Sequence, residues 1–178
     1  MILVDRSEQF FPWKSIWKQI PSRVALFVWT AALGKCLTID NLRKRKVCIL
    51  DWCYMCKSNG ESVDHLFLHC PVALELWAMI FGLFEVYWVM PMSVGGLFSC
   101  WQGRFGRYRN GDIWKVVLHC LMWCVWKERN SRCFEDNERS MPNPKLLFFR
   151  TLLDWFSVWR HQPFSSILDL LDLCNVRF

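Results

Sequence analysis

Between Cys53 and Cys70 the chain reads CYMCKSNGESVDHLFLHC, three cysteines and two histidines in eighteen residues. No other stretch so restricts how the chain can fold. Cys53 and Cys56 form a C-x-x-C pair, in which a tight turn aims two sulfurs at one ion. Eight residues lead from Cys56 to His65, and four more to Cys70. The intervening KSNGES is turn chemistry, with Asn59-Gly60 suited to positive φ, so the chain can fold back on the first pair. His65 and His69 stand i, i+4 and would share one face of a continuous helix. That alone would favour a set of two cysteines and two histidines. Pro71, however, disfavours α geometry at Cys70. A break there places Cys70 just before a helix opening at Pro71, whose backbone N–H groups favour a thiolate. The expected ligands are therefore Cys53, Cys56, His65 and Cys70, with His69 as the alternative. Thiolates with imidazole in a four-ligand set suit one zinc ion. A set filled by protein leaves no position for water or substrate, so the site is expected to be structural. Its binding energy is coupled to folding, on the order of 10 kcal/mol for small zinc modules.

The rest of the chain must build a body around this knuckle. Ten cysteines in 178 residues could also suggest a disulfide scaffold. The N-terminus MILVDRSEQFFPWK lacks the basic flank, apolar core and cleavage site of a signal peptide. Reduced thiols in nucleus or cytoplasm, not secretion, are the expectation, and there clustered cysteines point to metal. Apolar residues make up 53% of the chain, with 12 tryptophans, which excludes a disordered chain. A net charge of +6 is compatible with RNA or DNA but says little alone.

The pattern along the chain predicts a mostly α protein: a small helical domain with one knuckle, then a long helix and C-terminal helices. Trp13, Ile16, Trp17 and Ile20 recur at helical spacing before Pro21. A helix over 22–33 presents Val24, Phe27, Val28 and Ala31, widened by Leu26, Trp29 and Leu33, and stops at Gly34. A short helix capped by Thr38 follows, then an extended VCILDW. Another helix runs from Pro71 to about Phe84. Residues 85–111 read as an irregular connection. A helix over 112–135 is apolar nearly all round until Lys127 and must be docked. SMPNPK is a break, and helices at 145–160 and in the tail complete the chain. The expected division is 1–84, 85–111 and 112–178. The apolar stretches at 76–101 and 116–126 are broken or short against the roughly 20 residues of a membrane span, so no membrane contact is expected.

Arg43, Lys44, Arg45 and Lys46 could contact phosphates or lie on a solvated helix face. Arg104, Arg107 and Arg109 interleave with Trp101, Phe105 and Tyr108, a pattern that can hold single strands but more often packs its rings on the core. His119, Cys120 and Cys124 read as core packing, since two ligands make no site. Glu128 and Arg132 read as an i, i+4 ion pair on a solvent face.

Taken together, FPWKSIWKQIPSRVALFVWTAALGKCLTIDNLRKRKV, CYMC and ESVDHLFLHCPVALELW resemble the zinc-binding domain near the C-terminal end of reverse transcriptases of plant non-LTR (LINE-type) retrotransposons. The matching features are Trp17, Pro21, Phe27, Trp29, DNLRKR at 40–45, the cysteine pair, Glu61, HLFLHCP and Trp77. WCVWKERNSRCF at 123–134 is similar to the helix that commonly follows. The resemblance implies ligands at Cys53, Cys56, His65 and Cys70, a role beside a polymerase in holding RNA or DNA, and docking on a reverse transcriptase domain. The chain has no Asp-Asp pair as that polymerase carries, and no endonuclease or RNase H carboxylate set is visible. The expectation is a non-catalytic piece of a retroelement polyprotein without a small-molecule substrate. A structural protein-interaction domain or an inert remnant is the alternative.

Overall fold

A computed structural model describes residues 20–48, 50–104, 111–135, 142–160 and 169. Among them are six α-helices, one π turn and no strand. The helices are α1 (Ser22–Ala32), α2 (Ile39–Lys44), α3 (Pro71–Leu83), α4 (Val94–Arg104), α5 (Gly111–Phe134) and α6 (Pro142–Arg160). The π turn, His65–His69, lies between α2 and α3. VCILDW, expected to be extended, forms no strand among its described residues. The helical spacing expected at 13–19, Phe105, Arg107, Tyr108, Arg109 and the C-terminal tail apart from residue 169 fall outside the described residues.

Helix α5 is the axis of the fold. It packs against α6, α1 and the π turn. Ile113, Val117, Cys120, Leu121, Cys124 and Val125 are all buried, as the apolar pattern requires. His119, Cys120 and Cys124 belong to this packing: Cys120 Sγ lies 3.7 Å from the Phe148 carbonyl of α6. One continuous apolar core runs from Ile20 to Phe156. Two aromatic clusters fill it. Phe27 of α1 meets Phe67, Trp123 and Trp126 with centroids 5.4–5.8 Å apart. Trp101 of α4 stacks on Trp114 at 4.4 Å and meets Trp77 edge-on at 5.8 Å.

The segment 85–111, expected to be irregular, contains α4. The adjacent Gly95 and Gly96 and mixed polarity hide the pattern, yet Val94, Leu97, Phe98 and Trp101 form a buried stripe at helical spacing. Asp64 fixes its start, accepting the Val94 N–H at 2.7 Å. Helix α1 buries Val24, Phe27, Val28 and Ala31 as expected, but Leu26, Trp29 and Leu33 stay 46–52% exposed. Helices α1, α2 and α3 all end in Schellman-type turns with a left-handed residue. Gly34 takes that place after α1 (φ 65°), but Lys46 (φ 60°) and Glu85 (φ 51°) take it after α2 and α3.

Candidate metal centre

The knuckle begins as a tight turn. The Lys57 N–H bonds the Cys53 carbonyl at 2.8 Å, and the Cys53 N–H bonds the Asn59 carbonyl at 2.6 Å. The Met55 N–H points at Cys53 Sγ from 3.4 Å. The positive φ that the turn requires falls on Lys57 (φ 57°), not on Asn59-Gly60. The reversal is made by the residue directly after the second cysteine, before the glycine is reached. Gly60 serves close approach instead: a Cβ there would lie 3.1 Å from Asp51 Oδ1.

The second half of the site rests on the π turn. Ser62 starts it, its hydroxyl accepting the His65 N–H at 3.1 Å. The turn closes with the Cys70 N–H on the His65 carbonyl at 2.6 Å. A π turn closes i to i+5, so Cys70, not His69, comes back toward His65. His69 points elsewhere, its Nε2 3.2 Å from the Met92 carbonyl. Cys70 is extended (φ −63°, ψ 131°) and stands at the N-cap of α3, with Pro71 in the first turn.

The structure brings Cys53, Cys56, His65 and Cys70 together: their ligand atoms all lie within 4.8 Å of one another. Cys56 Sγ and His65 Nε2 are 3.4 Å apart. Tetrahedral zinc with bonds of about 2.0–2.3 Å needs ligand atoms roughly 3.3–3.8 Å apart, so a small contraction closes the set on one ion. Cys53 and Cys70 are fully buried. Hydrogen bonding from Cys53 holds the Cys70 thiol below its ordinary range, helped by the Val72 and Ala73 N–H groups at the start of α3. Cys53 is pushed up, first by that shared bond and then by burial. Burial lowers His65, favouring the neutral imidazole a metal requires.

Around this centre lies a polar clasp that the sequence reading missed. Glu61 is 1% exposed. Its Oε2 accepts the Tyr54 N–H at 3.2 Å, inside the C-x-x-C turn. Its Oε1 accepts the Ile39 N–H at 3.2 Å and both Nε and Nη2 of Arg129, at 3.1 and 2.8 Å. Its carbonyl takes the Asp40 N–H at 3.0 Å. Glu61 therefore caps α2, whereas the Thr38 hydroxyl turns to Asp40 Oδ1 at 2.5 Å. The Arg129 guanidinium lies over the rings of Tyr54 and Trp126, at 5.2 and 5.3 Å. The Glu128–Arg132 pair, expected on a solvent face, is buried, with side chains 1% and 8% exposed. The π turn and the knuckle cover that face of α5, and Arg132 Nη1 donates to the Met55 carbonyl at 2.9 Å. The sequence signal lies in Glu61 and in ERNSR at 128–132, three charges that continue an apolar helix.

The basic run lies at the end of α2. Arg43 pairs with Asp51 at 2.5 Å and Lys44 with Asp40 at 3.2 Å. Arg45 and Lys46 are exposed and take no ion pair among the described residues. Trp101 is buried in the core and Arg104 ends α4; Arg107 lies outside the described residues.

No helix among the described residues is long and apolar enough to cross a membrane. No solved structure matches the chain. A protein of Arabidopsis thaliana that carries the name of a ribonuclease H protein is 26% identical over 136 residues, covering 74% of this chain and 21% of that protein. The chain thus spans about a fifth of that relative's length. Residues 1–77 match the family described as zinc-binding in reverse transcriptase. The knuckle of that segment holds three cysteines and one histidine that could bind one metal ion, and residues 1–77 are in this respect similar to the reverse-transcriptase zinc-binding family.

Proposed function

We propose that this chain is a zinc-held, non-catalytic module of a retrotransposon polyprotein that assists RNA or DNA binding. Cys53, Cys56, His65 and Cys70 are its zinc ligands and the zinc is structural, because the protein fills all four positions. The region beyond 111 forms the C-terminal helical part. The observation that carries nucleic-acid binding is the exposed cationic end of α2, Arg45 and Lys46. The Arg43–Asp51 ion pair brings it toward Trp52, a ring 40% exposed beside the knuckle. Cations beside an open aromatic face suit a single strand. A module of this kind acts in nucleus or cytoplasm.

The test is fluorescence anisotropy with single-stranded RNA and DNA from low to moderate salt. Each neutralised phosphate contributes a slope of about −0.7 in log affinity against log salt for single strands. Exchanging Arg45 and Lys46 together for glutamate is expected to weaken binding and flatten that slope. Affinity that is flat in salt, or unchanged by the exchange, overturns the proposal. A second reading, docking on a reverse transcriptase domain, is favoured by the exposed Leu26, Trp29 and Leu33 on α1.

A further inference from the structure

Two arginines of α5 grip opposite sides of the same short turn. Through Glu61, Arg129 holds the Tyr54 N–H; directly, Arg132 holds the Met55 carbonyl. Tyr54 and Met55 are the two residues between Cys53 and Cys56. The links run from 2.8 to 3.2 Å, and the carboxylates that anchor them are buried. Glu61 and Arg129 are each 1% exposed, and Glu128, which holds Arg132 Nε at 2.9 Å, is also 1% exposed. Neither arginine is one of the four residues whose ligand atoms converge. Both act on the backbone that aims the sulfurs.

We propose that Arg129 and Arg132 are positioning residues for the metal: they pre-set the C-x-x-C turn so that Cys53 and Cys56 meet the ion without reorganising. The proposal rests on the zinc reading above. It extends the site beyond the segment matched to the zinc-binding family, because both arginines lie past residue 77. Groups outside the ligand shell commonly change metal affinity by about 10–100-fold when removed. The arrangement here is indirect twice over, from guanidinium to carboxylate to amide, and direct once, from guanidinium to carbonyl. Arg132 is the more direct probe, because it donates to the turn itself and its loss leaves the fully buried Glu61–Arg129 pair intact; the Arg132→Lys variant keeps a cation beside buried Glu128.

The experiment compares the full chain with Arg132→Met and Arg132→Lys. Zinc affinity is read by chelator competition, and cobalt absorption reports the coordination geometry. Arg132→Met is expected to bind zinc about 10-fold more weakly and to shift the cobalt bands, while Arg132→Lys, which keeps a donor for Met55, recovers part of both. Circular dichroism of the zinc-loaded proteins checks that each variant is folded. Should Arg132→Met not fold, Arg132→Lys against the unaltered chain supplies the same comparison at smaller amplitude. Equal zinc affinity and an unchanged cobalt spectrum in a folded variant overturn the positioning role alone. An unaltered chain that binds no zinc overturns the zinc reading and this proposal together.

Discussion

Replacing Arg129 by methionine removes a guanidinium that is 1% exposed and leaves the Glu61 carboxyl group in the same buried place without that partner. Methionine roughly conserves the apolar stem, so the loss is mostly electrostatic. Breaking one partner out of a buried pair costs about 3–5 kcal/mol. The contacts to Tyr54 and Trp126 add to this on the order of 1 kcal/mol. The carboxylate keeps the Ile39 and Tyr54 N–H groups, which limits the damage. The net expectation is about 4 kcal/mol. At about 2–4 °C per kcal/mol for a chain of this size, Tm falls by on the order of 10 °C. The assay is urea unfolding followed by tryptophan fluorescence at one fixed free zinc concentration, since bound metal adds to apparent stability. The double variant Glu61→Gln with Arg129→Met has no orphaned charge and keeps an acceptor for one backbone N–H. It is expected to be more stable than Arg129→Met alone. A loss below about 1 kcal/mol in Arg129→Met, as for an exposed pair, would refute the reasoning. So would a double variant whose loss is the simple sum of the two singles.

Three further outcomes are expected. Metal analysis of the purified chain gives one zinc, strongly reduced in Cys70→Ser and retained in His69→Ala; the reverse pattern would move the fourth ligand to His69. Glu85→Gly removes a left-handed non-glycine residue at the end of α3 (φ 51°) and raises stability by about 1 kcal/mol, read as a higher urea midpoint at unchanged slope. Burial pushes the Cys36 thiol from 9.0 up to about 11. A thiol raised on folding contributes stability that is complete below pH 9 and lost as pH climbs toward 11. At pH 8 the folded chain is therefore expected to alkylate at exposed Cys100 well before buried Cys36, measured by mass spectrometry of native and unfolded samples.

Much of this was legible because it depends on local chemistry. Pro71 signals both the start of α3 and the break at Cys70, and the structure has both. Gly34 ends α1 where a left-handed residue is needed. The long apolar helix had to be buried, and α5 is. What stayed hidden depends on contacts between distant positions. Glu61 and Arg129 are 68 residues apart, and nothing in either neighbourhood announces the other. An i, i+4 pair such as Glu128 and Arg132 looks the same on a wet face or under a loop. The helix α4 was obscured by Gly95 and Gly96, which lower helix propensity, and Asp64 compensates from another element. Pro71 favoured Cys70 over His69 in the sequence, but the π turn that carries Cys70 back toward His65 is signalled by no residue preference.

That turn has a consequence for how such a site can change over generations. Donor identity at the fourth position is set by pitch. With five residues from His65 to His69 wound as a π turn, the sulfur of Cys70 arrives at the centre. Loss of one residue within LFL would let the segment relax to the α pitch, in which i and i+4 share a face. The imidazole four places on from His65 would then be a sulfur, since the deletion moves Cys70 into the register His69 now holds. The cysteine would keep its place beside the metal, and the histidine would move to the register next to it. A site built this way tolerates a change of length that would scatter the ligands of a rigid helix, because winding and sequence register compensate each other.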